Sequence, residues 1–417
     1  MKIKPRDHCG GTAIAKGPTG LARSFARALL CLAMAGLSAS PASAGPIDDP
    51  RTDAFYTPPQ PLPAVPHGTL IRSRPFIPVG LFASGWQIMY TSTDNAGKAM
   101  AVTGTVLVPL TPWWQGNRPV IAWAPGTQGS ADNCAPSHQI ARGTEYETPI
   151  GIARTIAKGW AIAMTDYQGM GTPGAPTYFA GKPTGSAVLD AVLAAQQLNG
   201  AGVAANSPVG IMGYSEGGYA SAAAAELQPR YAPTLNVKGV ASGAAPYRIA
   251  DVYATVNGSL NAGFGPGFLI GMDATYPELD LQSILTPYGK SVVADALDKK
   301  CTVDLVLGYP FLSDAVMVQG PTILNRPNWV ARMDENNGGQ GVPAVPALLY
   351  GGVLDNVVPY EQNKKWFAAW CARGANVEFR TVHGTVDHIS GAVLGVPIAL
   401  DWMAQRFAGI PATSGCP

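Results

Sequence analysis

Ser215 stands in Val209-Gly-Ile-Met-Gly-Tyr-Ser-Glu-Gly-Gly-Tyr219, a Gly-x-Ser-x-Gly pattern between an apolar run and an alanine-rich stretch. A strand, a sharp turn and a helix in that order would lift a serine hydroxyl out of the backbone as a nucleophile. Gly213 and Gly217 suit the turn, because side chains there would collide across it. In a chain with 49 glycines the pattern alone is weak. A serine also needs a base in hydrogen-bond reach and an acid to orient that base.

Both partners follow in the chain. Asp355 lies in Gly351-Gly-Val-Leu-Asp-Asn-Val-Val-Pro359, just after an apolar run at 347–350. Two histidines follow the run at 377–381, in Thr381-Val-His-Gly-Thr-Val-Asp-His-Ile-Ser390. His388, deeper in that loop and before a helix, is the expected base; His383, at the strand edge, is the alternative. His383, Asp387 and His388 also form the one cluster with a metal-like look, but no other ligand converges with them, so neither a metal nor an organic cofactor is expected. A tetrahedral oxyanion needs two backbone donors. One would be the amide of Glu216, after the nucleophile. The other is expected in Trp123-Ala-Pro-Gly-Thr-Gln-Gly129, at Gln128 or Gly129.

These residues need a scaffold that places strand ends side by side. Short apolar runs at 99–108, 119–123, 160–165, 209–212, 237–241, 347–350 and 377–381 read as strands. Helical spacing at 186–198, 219–227, 359–371 and 396–407 falls between or after them. The alternation predicts an α/β class, a doubly wound, mostly parallel sheet of the α/β-hydrolase kind. More than a hundred residues separate the runs at 237–241 and 347–350. The excess predicts a large helical cap or lid at 247–342, dividing the core into 45–246 and 343–417. Within it, helices are expected at 249–257, 281–285 and 292–301. The glycine-rich stretch Asn261-Ala-Gly-Phe-Gly-Pro-Gly-Phe-Leu-Ile-Gly271 reads as a mobile apolar flap. The proline-rich residues 45–80 read as an extended arm.

Composition narrows the functional classes. Net charge is +1 and 13% of residues are charged, which offers no basic surface to nucleic acid. Lys2, Lys4, Arg6, Lys16, Arg23 and Arg27 precede an apolar run at 28–37 and Ala42-Ser43-Ala44. That pattern predicts a cleaved signal peptide at 1–44 and a secreted or periplasmic protein, without a stable membrane span. Cys9 and Cys31 would leave with it. Cys134, Cys301, Cys371 and Cys416 remain, an even set that predicts two disulfides in any of three pairings.

Several stretches resemble the secretory lipase family, which includes the fungal lipase A enzymes and bacterial relatives. They are Ala124-Pro-Gly-Thr-Gln-Gly-Ser-Ala-Asp-Asn-Cys-Ala-Pro-Ser137, Thr165-Asp-Tyr-Gln-Gly-Met-Gly-Thr-Pro-Gly174, Gly213-Tyr-Ser-Glu-Gly-Gly218, Ala274-Thr-Tyr-Pro-Glu-Leu-Asp280 and the segment from Asp387 to Trp402. The resemblance runs from about residue 55 to 416. It implies Ser215, Asp355 and His388 as a triad, the insertion as a lid, and the pairs Cys134–Cys301 and Cys371–Cys416. The expected function is an exported serine ester hydrolase, a lipase acting as a monomer on lipid or acyl esters. The alternatives are a short-chain or acetyl esterase, an acyltransferase or a peptidase of the same fold, and an inactive binding protein.

Overall fold

A computed structural model describes residues 48–417. The predicted signal peptide, with Cys9 and Cys31, lies outside the described residues.

Nine strands form one sheet in the order β1-β2-β3-β5-β4-β6-β7-β8-β9. They are β1 Leu70–Phe76, β2 Ala83–Thr93, β3 Ala99–Pro109, β4 Val120–Ala124, β5 Ala161–Thr165, β6 Val209–Tyr214, β7 Val237–Gly243, β8 Ala347–Gly352 and β9 Val377–Val382. The first three pair antiparallel, and β3 meets β5 antiparallel. From β5 through β4, β6, β7, β8 and β9 every pairing is parallel. Strands β4, β5, β6 and β8 are buried at every residue. Helices cover both faces of a parallel sheet, so such strands read as continuous apolar runs.

The helices are α1 Pro136–Arg142, α2 Ala153–Ala157, α3 Gly181–Ala195, α4 Glu216–Tyr231, α5 Ile249–Val256, α6 Phe264–Thr275, α7 Leu281–Ile284, α8 Pro287–Asp298, α9 Thr302–Gly308, α10 Asp314–Met317, α11 Pro327–Glu335, α12 Tyr360–Ala372 and α13 His388–Phe407. One core cluster joins Leu189 and Val192 of α3 and Tyr219 and Ala220 of α4 to Ile211 and Val240 of the sheet. The opposite cluster packs Val396, Leu400, Trp402 and Met403 of α13 under Ile121, Met212 and Leu348.

Strand β2 was not among the expected strands, its run being broken by the buried polar residues Gln87, Thr91 and Ser92, and several helix ends shift, as in α8, which spans Pro287–Asp298 and not 292–301. Three further differences bear on the site. Residues 45–80 are not wholly an arm, because Leu70–Phe76 pairs along β2. Arg72 and Arg74 give this edge strand a polar face, and its residues are at most half-buried. The last helix starts at His388, eight residues before the predicted 396. Its first turn is polar and capped: Asp387 accepts from Ser390 N–H at 2.7 Å, and the Ser390 hydroxyl accepts from Asp387 N–H at 3.0 Å.

The third difference is the glycine-rich flap. It forms α6, with Phe268, Leu269, Ile270 and Met272 buried. Two of its glycines answer to packing. A Cβ on Gly271 would lie 2.2 Å from the Tyr178 Cβ, and one on Gly263 would lie 2.2 Å from the Leu305 carbonyl oxygen. Small residues let this helix approach its neighbours closely, which the sequence reading took for slackness.

The segment between β7 and β8 is fastened to the core at its two ends. Ala245 N–H donates to Asn363 Oδ1 at 2.8 Å and Arg248 N–H to Gln362 Oε1 at 2.7 Å. At the returning end the Glu226 carboxylate accepts from Gly339 N–H, Gly341 N–H and the ring N–H groups of Trp366 and Trp370. Cys134 is bonded to Cys301 and Cys371 to Cys416.

Candidate active site

Ser215, Asp355 and His388 each follow the C-terminal end of a parallel strand: β6, β8 and β9 respectively. Side chains on adjacent strand ends meet at that edge of the sheet, which is why distant residues converge there.

Ser215 has φ 63° and ψ −123°, a conformation that costs a non-glycine residue on the order of 1–3 kcal/mol. Its surroundings hold it. Ser215 N–H donates to Gly243 O at 2.9 Å, and Tyr219 N–H donates to Ser215 O at 3.0 Å. The neighbouring glycines are sterically required. A Cβ on Gly213 would lie 2.2 Å from Gly217 O, one on Gly217 2.1 Å from Ala124 O, and one on Gly218 2.0 Å from Gly243 O. The first two match the expected elbow. Gly218, which the pattern does not include, lets α4 close against β7.

The Ser215 hydroxyl lies 2.8 Å from His388 Nε2. His388 Nδ1 lies 2.8 and 2.7 Å from the two Asp355 carboxylate oxygens. A carboxylate only accepts, so Nδ1 carries the proton and Nε2 is the acceptor for Ser215. Asp355 Oδ1 also accepts from Val357 N–H at 3.0 Å and Val358 N–H at 2.8 Å, which fixes the carboxylate. Asn356 Oδ1 accepts from His388 N–H at 3.1 Å. The imidazole is 5% exposed and the ring sits against Tyr214. His383 is exposed, and Asp387 serves as a helix cap. The metal-like trio is thus dispersed over different tasks. His67 bonds to Asp190 and His138 to Asn133 O, both away from Ser215.

Of the expected oxyanion residues, Glu216 follows Ser215 as the first residue of α4. Its carboxyl is buried, and burial pushes it well above the usual carboxylate range, partly opposed by a hydrogen bond with Thr127. Gln128 points inward: its side-chain oxygen accepts from Gln139 at 2.9 Å and its carbonyl accepts from Thr302 N–H at 2.9 Å. Gly129 bridges to Cys301, with a Cβ position only 2.8 Å from the Cys301 Cα. Thr127, Gly129 and Glu216 line one small pocket together.

A second, apolar slot opens on Ser215. Its walls are Tyr178, Phe179, Val252, Tyr253, Val256, Phe264, Phe268, Val357 and Val358. Phe264 and Phe268 come from the glycine-rich stretch 261–271; the other walls carry no local signature in the sequence. A serine hydroxyl, an imidazole and a carboxylate linked in this order beside an apolar slot are what acyl transfer from an ester requires. Among the described residues no helix is long and apolar enough to cross a membrane.

The profile of the family described as secretory lipase matches residues 136–415. Lipase 4 of Candida albicans is 31% identical over 395 residues, covering 88% of this chain and 83% of that protein. Lipase A of Arthroderma benhamiae is 29% identical over 391 residues, with 88% and 81% covered. Among solved structures, Candida antarctica lipase A in its closed state superposes with a TM-score of 0.79 at 25% identity, covering 88% of this chain and 89% of that one. The rice cell wall degrading esterase LipA from Xanthomonas oryzae shares the fold, with a TM-score of 0.66 at 18% identity and 84% and 97% covered.

Proposed function

The chain belongs to the secretory lipase family, and from that premise we propose that it is a secreted serine lipase working through Ser215, His388 and Asp355. The observation that carries this reading is the unbroken hydrogen-bond chain from the Ser215 hydroxyl through the His388 ring to Asp355. Ser215 Oγ attacks the ester carbonyl carbon while His388 Nε2 takes its proton. The carbonyl oxygen becomes an oxyanion, held by the Glu216 amide and by an amide of the 126–129 loop, at Gln128 or Gly129. Collapse expels the alcohol, which takes the proton from His388, and leaves an acyl-serine. Water, deprotonated by His388, then releases the acid. Asp355 holds the ring tautomer and stabilises the imidazolium.

The acyl chain would lie in the slot walled by Val252, Val256, Phe264 and Phe268. Residues 247–342 act as its cap, between the core portions 45–246 and 343–417. Residues 1–44 act as the cleaved export signal. The substrate class is acylglycerol or related lipid esters, handled by a monomer.

A series of p-nitrophenyl esters from acetate to laurate tests the reading on purified protein, with Ser215→Ala beside it. Each buried methylene contributes up to about 0.8 kcal/mol, so kcat/KM should climb from acetate to medium chains. A strict acetyl preference would replace the lipase with an acetyl esterase, and full activity in Ser215→Ala would remove the serine mechanism.

A further inference from the structure

The segment Glu145-Tyr146-Glu147 has no task in the reaction above, yet it lies against the loop expected to stabilise the oxyanion. The two run in opposite directions, residue against residue. Gly126 N–H donates to Glu147 Oε1 at 3.2 Å. The Tyr146 hydroxyl donates to Thr127 O at 3.1 Å. The Gln128 side-chain amide donates to Glu145 Oε1 at 3.4 Å. The other Glu147 oxygen accepts from the Trp123 ring N–H at 3.0 Å, on the strand that delivers the loop. Both glutamates are buried, at 3% and 5% exposure. The loop is also closely packed at Gly126. A Cβ on Gly126 would lie 2.8 Å from the Tyr146 hydroxyl and 3.4 Å from the carbonyl oxygen of Tyr214, the residue before Ser215.

We propose that Glu147, with Tyr146 and Glu145 beside it, is a positioning residue that sets the height of the 126–128 backbone against Ser215 and thereby the strength of oxyanion stabilisation. The proposal rests on the serine-hydrolase reading above. An oxyanion donor works only when it sits within hydrogen-bond distance of the place where charge develops, and small displacements are costly. A loop of Gly, Thr and Gln cannot hold such a position by its own sterics. A carboxyl with one oxygen on the strand and one on the loop can, because its two acceptors lie at a fixed spacing.

The electrostatics agree. Burial, reinforced by the charge of Glu145, pushes the Glu147 carboxyl upward, and burial pushes Glu145 upward too. The other groups that feel the Glu147 charge are Glu216, Tyr146, Tyr167 and Tyr350, none of them cationic.

The test is steady-state hydrolysis of p-nitrophenyl butyrate by the full-length protein, with active sites counted by end-point labelling with a fluorophosphonate. Glu147→Ala should lower kcat per labelled site roughly ten- to a hundredfold with KM nearly unchanged, since the oxyanion exists only beyond the ground state. Glu147→Gln keeps one acceptor and should fall between wild type and Glu147→Ala. Unchanged kcat per site in Glu147→Ala, or a raised KM at unchanged kcat, overturns the proposal. If Glu147→Ala does not fold, Glu147→Gln decides alone: reduced kcat at constant KM supports it, and wild-type kcat overturns it. If the wild type itself neither labels nor turns over, the parent reading falls and takes the proposal with it.

Discussion

The Tyr214 hydroxyl donates to the main-chain oxygen of His388 at 3.0 Å. Tyr214 ends β6, directly before Ser215, so one side chain ties the strand that delivers Ser215 to the first turn of the helix that carries His388. Gly391 leaves room for it, since a Cβ there would lie 2.2 Å from that hydroxyl oxygen. Tyr214→Phe keeps the ring against His388 and removes this tie together with the longer hydrogen bond, 3.4 Å, from the same hydroxyl to Asp355 Oδ2. We expect kcat to fall about three- to tenfold at constant KM, as for a lost positioning hydrogen bond. Unchanged kcat would mean that Asp355 and Asn356 suffice to hold His388.

Ser215→Ala and His388→Ala should each lower ester turnover by several orders of magnitude, and the double variant should lose no more, because the two act as one unit. His383→Ala should stay within a few-fold of wild type, its side chain being exposed. Initial rates on one ester rank the four proteins. A larger loss in His383→Ala than in His388→Ala would move the base to His383.

Val256 is 4% exposed and sits at the end of α5 in the wall of the slot. Val256→Trp should shorten the slot. The ratio of kcat/KM for octanoate over acetate should drop by roughly tenfold or more, because about 0.8 kcal/mol per excluded methylene is lost. A ratio equal to wild type, in a variant of normal melting temperature, would place the acyl chain elsewhere.

His67 Nδ1 lies 2.6 Å from Asp190 Oδ1, and its ring stacks on Tyr231 at 4.0 Å between centroids. The Asp190 hydrogen bond raises the imidazole above its ordinary 6.5. Asp190 itself is raised by burial, which outweighs the opposing hydrogen bond from His67. A folded-state pKa above the unfolded one gives stability that is fully present below 6.5 and lost as pH rises through the folded value. Thermal melts of wild type and His67→Gln should therefore differ most in mildly acid buffer and converge on the alkaline side. A gap that widens with pH would reverse this assignment.

The strands of the parallel sheet were legible because they are buried on both faces and so form unbroken apolar runs. Ser215 was legible because its turn demands Gly213 and Gly217, and Asp355 and His388 because strand ends at 347–352 and 377–382 adjoin in the sheet. Strand β1 was missed because Arg72 and Arg74 interrupt its alternation. Helix α6 was misread because glycine marks both slack chain and close approach, and only the position of Tyr178 separates the two. Glu145 and Glu147 carry no local signature: Glu147 is buried against Trp123 and Gly126 and Glu145 against Gln128, partners that no local pattern connects to them.

The two disulfides divide the chain into covalent rings. One runs from Cys134 to Cys301 and contains Ser215; the other runs from Cys371 to Cys416 and contains His388; Asp355 lies between them. A protease nick inside either ring leaves a single molecule under oxidising conditions, including a nick anywhere from residue 247 to 300. A nick between Thr302 and Trp370 is different: it parts Ser215 from His388 in covalent terms, leaving them together through packing alone. In a milieu rich in proteases, that stretch is the one whose integrity keeps Ser215 and His388 on one covalent molecule.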